Sequence, residues 1–213
     1  MAQPAVATAD PLAFAGQEKR EQIFKGAREV FLARGFDAAS MGDIARAAGV
    51  SKGTLYVYFE NKERLFATLV EDECRVIGDW MNVLDPAEHD VRAALTKLGR
   101  GYLEALMRPG HIAWLRTVIG ATEQFPELGQ VFLNSGPRRG VKQLTEWLRT
   151  KIAHGELKID DVELAAWHFL MMCQGAIMLP MMLGGEPRPT SARLEQVIAR
   201  AVEVFVAAYG RRA

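Results

Sequence analysis

The stretch "SMGDIARAAGVSKGTLYVYF", residues 40–59, decides the fold of the first part of this chain. Counted from Met41, its fifth residue is Ala45, its ninth is Gly49 and its fifteenth is Leu55. A helix-turn-helix needs a small residue at the fifth position, where its helices cross, and an apolar residue at the fifteenth, which faces the first helix. Its ninth residue takes a left-handed conformation, which glycine adopts without steric cost. The spacing therefore predicts a helix-turn-helix.

The outward face of the second helix carries groups that suit DNA. Hydroxyl and ammonium groups bond phosphate oxygens and base edges, glycine allows close approach, and a helix N-terminus attracts an anion. These features predict a reading helix for a major groove. The spacing alone also fits plain helix packing, in which the two tyrosines cover an apolar seam. The candidate DNA contacts are Ser51, Lys52, Gly53, Thr54, Tyr56, Tyr58 and, at the start of the following helix, Lys62.

The composition leaves the partner open but limits the class of protein. Hydrophobic residues make up 49% of the 213, which is enough for a sizeable core, and 26 basic residues balance 26 acidic ones. The start, "MAQPAVATADPLAFAG", lacks the basic region of a signal peptide. The apolar stretch 169–185 contains Gln174 and Pro180 and is short for a membrane span. We therefore expect a cytoplasmic protein with no membrane partner.

Helical periodicity recurs along the chain, and no segment sustains the alternation typical of a strand. Ser40, Ser51 and Asn61 are placed to cap helices, and Gly35 is placed to end the first one. The pattern predicts an all-α protein with helices at 18–34, 41–48, 52–59, 62 to about 84, 88–107, 111–123, 127–154 with a kink or break at Gly136-Pro137, 160–183 and 190–209.

The segment "SMGDIARAAGVSKGTLYVYFENKERLF" closely resembles the N-terminal signature of TetR/AcrR-type transcriptional regulators. The resemblance implies a three-helix DNA-binding domain at 17–65, after a mobile tail at 1–16, and a larger helical domain at 66–213 for ligand binding and dimerisation. It also implies a homodimeric repressor that binds a palindromic operator and is released by a small apolar or amphipathic effector. Ser40 stands where threonine is usual and joins the DNA contacts, whereas Val57, often polar or aromatic in relatives, departs from the pattern.

The dimer is expected to form through helices 160–183 and 190–209. Helix 160–183 is apolar on nearly every side, so one stripe should face the domain core and another the partner subunit. The two stripes contain Leu164, His168, Met171, Gly175, Met178 and Met182 in the first and Ala165, Phe169, Met172, Ala176 and Leu179 in the second.

Apolar and aromatic side chains are candidates for the wall of the effector pocket, because methionine and aromatic rings make adaptable apolar surfaces. Ordinary core packing is the competing interpretation for each of them. Trp80, near the end of the long helix that starts at Lys62, is the residue best placed to sense the ligand. The candidates are Ile77, Trp80, Trp114, Phe125, Phe169 and Met172.

No sequence feature predicts an enzyme, a cofactor or a metal site. His111 and His168 are lone histidines without ligands at metal-binding spacing, and Cys74 and Cys173 indicate reduced packing cysteines. Nucleophile motifs, phosphate-binding glycine loops and paired carboxylates are absent from the sequence. The alternatives to a repressor are a dimeric helical small-molecule sensor without operator binding and, as the weaker one, an all-α enzyme.

Overall fold

The computed structural model describes residues 11–184 and 187–211, and among them every side chain except those of 11–15, 76, 77 and 79. Within these ranges the chain forms ten α-helices, one 3-10 helix and no strand, which confirms the all-α prediction. An isolated bridge joins Leu157 and Gly210. Two compact units divide between Leu69 and Val70.

The helices follow the caps that the sequence predicted. Ser40, Ser51 and Asn61 each accept a backbone N–H three residues on, and Gly136-Pro137 ends one helix and begins the next. The helices are α1 (Pro11–Ala38), α2 (Met41–Ala47), α3 (Lys52–Tyr58), α4 (Lys62–Ile77), the 3-10 helix Gly78–Val83, α5 (Val91–Leu106), α6 (His111–Ala121), α7 (Pro126–Ser135), α8 (Pro137–Ala153), α9 (Val162–Met182) and α10 (Ser191–Tyr209).

Two boundaries differ from the prediction. Helix α1 begins at Pro11, inside the predicted tail 1–16, since proline suits the first position of a helix; residues 1–10 lie outside the described residues. Helix α4 ends at Ile77 instead of near Leu84, where Gly78 is a poor helix former, and the chain continues as the 3-10 helix. Its length is therefore about 24 Å, and Trp80 lies beyond its end.

An aromatic cluster holds the first unit together. The ring of Phe66 on α4 contacts Phe31 and Phe36 edge-on, at centroid distances of 4.8 and 4.9 Å. Gly35, with φ of 75°, ends the regular part of α1 and turns Phe36 into this cluster. The cluster therefore joins the helices that precede and follow the helix-turn-helix in the sequence.

Gly26 sets the closest approach between α1 and α2. A Cβ atom at this position would lie 2.4 Å from the backbone nitrogen of Ala48 and 2.6 Å from its Cα. The Gln22 amide, one turn earlier on α1, donates to the Ala48 carbonyl at 2.6 Å. Helix α1 therefore supports the turn of the helix-turn-helix by the close approach at Gly26 and by the side-chain hydrogen bond of Gln22.

Helix α9 forms the centre of the second unit, where it packs against α5, α6, α8 and α10. By length and composition alone it is apolar enough to cross a membrane. Its Phe169, Leu170 and Cys173 are nevertheless buried in the core, and the Phe169 ring meets Phe205 of α10 edge-on at 5.6 Å.

Each predicted stripe of α9 contains both exposed and buried residues. Leu164, Met171 and Gly175 of the first stripe are exposed, but Met178 is buried; Ala165 and Phe169 of the second are buried, but Leu179 is exposed. The division into one inner and one outer stripe was therefore wrong. The steps within each stripe average about 3.5 to 3.6 residues and so match the helical repeat, which means that the cover provided by the neighbouring helices, and not a rotation of the stripe, decides which of its residues are buried.

Candidate DNA interface and effector cavity

The turn between α2 and α3 has the geometry that its sequence spacing predicts. Gly49 has φ of 64°, in the left-handed region, and Ala45 and Leu55 are both buried between the helices. The Val50 N–H donates to the Ala45 carbonyl at 3.0 Å, which closes the turn. The structure therefore contains a helix-turn-helix.

Both short helices begin with a serine cap that uses its hydroxyl inside the unit. Ser40 Oγ accepts the Asp43 N–H and donates to the Asp43 carboxylate at 2.6 Å. Ser51 Oγ accepts the Thr54 N–H at 2.9 Å and lies 2.8 Å from the Thr54 hydroxyl. These hydroxyls fix the start of each helix, so any contact with DNA has to be shared with the cap.

Asp43 is the acidic residue nearest to the turn, and its charge is neutralised locally. The Ser40 hydroxyl bond, Arg34 at 3.1 Å and Arg46 at 3.0 Å lower the pKa of the Asp43 carboxyl. Two arginines therefore compensate the one carboxylate beside the start of α2, which reduces its repulsion of a phosphate backbone.

The outward face of α3 exposes large side chains with little support from neighbours. Tyr56, Val57 and Tyr58 are all exposed, and Val57 reaches 83%. Lys52 folds over Gly42 of α2, where a Cβ atom would lie 2.9 Å from Lys52 Cε. The missing side chain at Gly42 thus leaves room for the Lys52 side chain to lie against α2.

Lys62 occupies a different position from the other candidate contacts. Its ammonium donates to the carbonyls of Phe36 and Asp37, at 2.8 and 3.2 Å, and lies 4.4 Å from the centre of the Phe36 ring. Two of its three protons therefore secure the end of α1, and one remains for a phosphate.

The second unit contains a cavity of about 120 Å³ with aromatic walls. Trp80 of the 3-10 helix packs on Tyr102 of α5, with ring centroids 4.5 Å apart, and its edge lies against Gly140 of α8, where a Cβ atom would be 3.0 Å away. Phe132 of α7 and Trp167 of α9 complete the aromatic lining.

Few polar groups line this cavity. Tyr102 donates its hydroxyl to Gln174 at 2.5 Å, and burial raises the pKa of that phenol. Burial, with help from Glu73 and Glu71, raises the pKa of the Cys74 thiol to about 12, so the thiol in the cavity wall is protonated. The remaining polar side chains that line the space are those of His111, Ser135, Arg139 and Gln143.

The helix-turn-helix and the helical second unit correspond to two parts of one protein family. Residues 23–69 match the family model described as "Bacterial regulatory proteins, tetR family". Residues 93–211 match the one described as "AefR-like transcriptional repressor, C-terminal domain". The chain belongs to the TetR family of transcriptional regulators. Family members bind DNA through the helix-turn-helix, so the protein is a DNA-binding transcriptional regulator.

Solved structures and curated proteins of the TetR family resemble this regulator. FrrA, a flavonoid-responsive regulator, is 34% identical over 92% of this chain and 100% of its own, with a TM-score of 0.79. A TetR-family regulator from Mesorhizobium loti is 28% identical over 92% and 98%, with a TM-score of 0.82. An uncharacterized HTH-type regulator of Mycobacterium tuberculosis is 32% identical over 55% of this chain and 63% of its own length, less than two thirds of it.

The candidate effector contacts of this TetR-family protein do not all meet at the cavity. Trp80 lines it, whereas Trp114 and Phe169 are buried in packed parts of the unit. Phe125 precedes α7 as its N-cap, and Met172 lies in a surface groove beside α10. Ile77 ends α4, and its side chain lies outside the described residues.

Several lining residues carried no signal in the sequence. Tyr102 lies on α5 and Arg139 and Gln143 lie on α8, two helices far apart in the sequence that line the same cavity. The spacing of Gly136 and Gly140 was the one hint of a cavity in the sequence, because two glycines four residues apart leave open space on one side of a helix.

Proposed function

We propose that this regulator is a homodimeric repressor that binds a palindromic operator and releases it when a small aromatic effector occupies the cavity beside Trp80. The observation that carries the proposal is the pairing, in one TetR-family chain, of an exposed α3 face with an aromatic cavity in the other unit. The protein then acts in the cytoplasm, on DNA, without a cofactor. Ser40, Ser51, Lys52, Gly53, Thr54, Tyr56, Tyr58 and Lys62 form the proposed DNA-contacting set.

The α3 face supports the operator part of the proposal by its chemistry. Lys52 supplies a cation and Tyr56 a hydroxyl, the groups that bond phosphates and base edges. Val57, the exposed residue between Tyr56 and Tyr58, offers an apolar surface that suits the methyl group of thymine. Lys52 and Gly53 begin the helix and so come nearest to the bases in this arrangement.

Replacing Lys52 or Tyr56 by alanine is expected to weaken operator binding by about 10- to 100-fold each, or about 1–3 kcal/mol. The physical reason is the loss of one phosphate or base contact from an exposed side chain whose removal leaves the core intact. Operator affinity is measured by gel shift with the DNA that flanks the coding gene, and circular dichroism checks the fold.

Lys158→Ala is the matched control for Lys52→Ala, since it removes the same exposed charge from the second unit. This variant should keep an operator affinity within about twofold of the native value. Native affinity in both α3 variants would remove this helix from the interface, and absence of any operator complex in the native protein would favour the alternative, a sensor without operator binding.

The walls of the cavity suit a planar aromatic effector. Trp80, Tyr102, Phe132 and Trp167 offer ring faces and edges for stacking. Arg139 and Gln143 are placed among them to bond phenolic or carboxylate oxygens. The relative FrrA is flavonoid-responsive and 34% identical, which makes a flavonoid the first probe. Operator and effector then weaken each other's binding by the same factor.

Trp80→Leu is expected to retain operator binding and to lose at least about 10-fold in flavonoid affinity, because one stacking wall is removed. Quenching of tryptophan fluorescence and release of operator DNA, both titrated with flavonoids, measure the effect. Trp147→Phe is the control, because this buried indole donates to the Asp85 carbonyl and lies outside the cavity wall. Native affinity in Trp80→Leu would exclude Trp80 as a wall, and absence of flavonoid binding to the native protein would refute this effector class.

The dimer part of the proposal is supported by a second exposed apolar surface. Of the ten exposed large hydrophobic residues in the described part of the chain, five lie along one side of α9 and α10. We call this set the α9–α10 face; its members are Leu164, Met171, Leu179, Leu183 and Val204. Such a continuous patch is expected to be covered in solution, and a second copy that presents the same face satisfies the two-fold symmetry of a palindrome.

A further inference from the structure

Two histidines and a glutamate meet on the surface of the second unit, away from the effector cavity. His89 lies in the segment before α5, His154 is the C-cap of α8, and Glu156 follows in the next turn. His89 Nδ1 is 2.9 Å from Glu156 Oε1, and His154 Nδ1 is 3.7 Å from the same oxygen. One donor atom from each residue lies within 4.8 Å of the other two.

The carboxylate of this cluster is held in place by a buried lysine. Lys151 is fully buried, donates to the carbonyls of Pro86 and Glu88, and lies 3.6 Å from Glu156 Oε2. The two carboxylate oxygens thus have separate surroundings, since Oε2 faces the ammonium and Oε1 faces both imidazoles. The His89 hydrogen bond and Lys151 lower the pKa of Glu156, so the carboxylate is ionised and ready to act as a ligand.

A hydrogen-bonded ion pair explains only part of this arrangement. His89 is within hydrogen-bonding distance of Oε1, but His154 is beyond it. Gly155, with φ of 75°, turns the chain between His154 and Glu156 so that both side chains approach the same point. His154 Nδ1 lies 3.7 Å from Glu156 Oε1 without a hydrogen bond to it, so the hydrogen-bonded pair does not account for the position of His154.

We propose that His89, His154 and Glu156 bind a zinc ion through Nδ1, Nδ1 and Oε1, with water in the fourth position. Imidazole and carboxylate are ligands that Zn²⁺ prefers, at about 2.0–2.2 Å, so tetrahedral donor atoms lie about 3.3 Å apart. The two separations between a histidine nitrogen and Glu156 Oε1, 2.9 and 3.7 Å, bracket that value, and no two of the three donor atoms are more than 4.8 Å apart. Small rotations of the His89 and His154 side chains, which are 79% and 44% exposed, complete the geometry. Lys151 orients the carboxylate from behind, as groups outside the ligand sphere do in metal sites.

Bound zinc would join two segments that are far apart in the sequence. His89 precedes α5 by two residues, and His154 ends α8. A metal that binds only the folded arrangement stabilises it by mass action. The two cysteines offer no competing site, because burial raises the pKa of both the Cys74 and Cys173 thiols to about 12 and zinc requires a thiolate.

The test uses the full chain without an affinity tag, Zn²⁺ alone as the ligand, and a chromophoric chelator in competition. The native protein should bind one zinc ion per chain, and zinc at a hundred times its Kd should raise the Tm by about 5–10 °C. His89→Ala and His154→Ala should each lower the zinc affinity by at least about 100-fold and abolish the Tm shift. Both side chains are exposed, so both variants should fold.

His168→Ala is the control, because this histidine bonds the Tyr209 hydroxyl and is not one of the three residues whose donor atoms meet; its zinc affinity should be native. Absence of zinc binding at micromolar concentration, or binding that survives in both cluster variants, would overturn the site and reduce the cluster to an ion pair.

Discussion

Gly26→Ala is expected to destabilise the DNA-binding unit by about 3 kcal/mol or more, at the upper end of what overpacking costs. The new methyl group would stand 2.4 Å from the Ala48 nitrogen and 2.6 Å from its Cα, and backbone atoms inside a helix cannot rotate away as a side chain does. Relief requires α1 and α2 to separate, which breaks the Gln22 bond to the Ala48 carbonyl and moves the turn before α3. Operator binding should be lost together with the fold of this unit.

Urea unfolding followed by circular dichroism measures the loss, and gel shift measures the effect on operator binding. Gly16→Ala is the matched control on the same helix, because a Cβ atom there meets nothing within 4 Å. Alanine is the better helix former, so this variant should be neutral or stabilised by up to about 1 kcal/mol. Native stability in Gly26→Ala would show that α1 and α2 are less closely packed than the structure has them.

Leu179→Glu is expected to separate the proposed dimer and abolish operator binding. Leu179 is 58% exposed in the single chain, so glutamate there leaves the subunit fold intact but buries an unpaired carboxylate in the interface. The dimer Kd should rise by at least about 100-fold, or about 3 kcal/mol. A lone subunit reaches one half-site only, so operator affinity should fall with the dimer.

Sedimentation and gel shift at the same protein concentration measure the two losses together. Gly175→Glu should act in the same way, since a Cβ atom at this exposed glycine meets nothing within 4 Å in its own subunit. Ile119→Glu makes the same change at an exposed residue of α6, outside the α9–α10 face, and should remain a dimer. Ala201→Glu would not test the interface, because Ala201 is only 3% exposed within the subunit and a glutamate there would disturb the core. A native protein that sediments as a monomer at micromolar concentration contradicts the proposal.

The helix-turn-helix could be predicted from the sequence because its determinants are local. Ala45, Gly49 and Leu55 lie within eleven residues, and caps such as Ser51 act three positions away. Short-range requirements of this kind depend on backbone geometry, which is the same in every chain. Once Leu55 was identified as the buried residue of α3, the helical period indicated which of its side chains are exposed.

Only the tertiary structure decided which distant residues meet. Gly26 looked like an ordinary helical glycine until α2 was packed against it, and an all-apolar α9 gives no sign of which side is covered. The walls of the cavity and the cluster of His89 with Glu156, 67 positions apart, are likewise products of long-range packing. Periodicity tells which residues share a face of one helix, but the neighbour on that face is set by how all the helices pack together to fill the core.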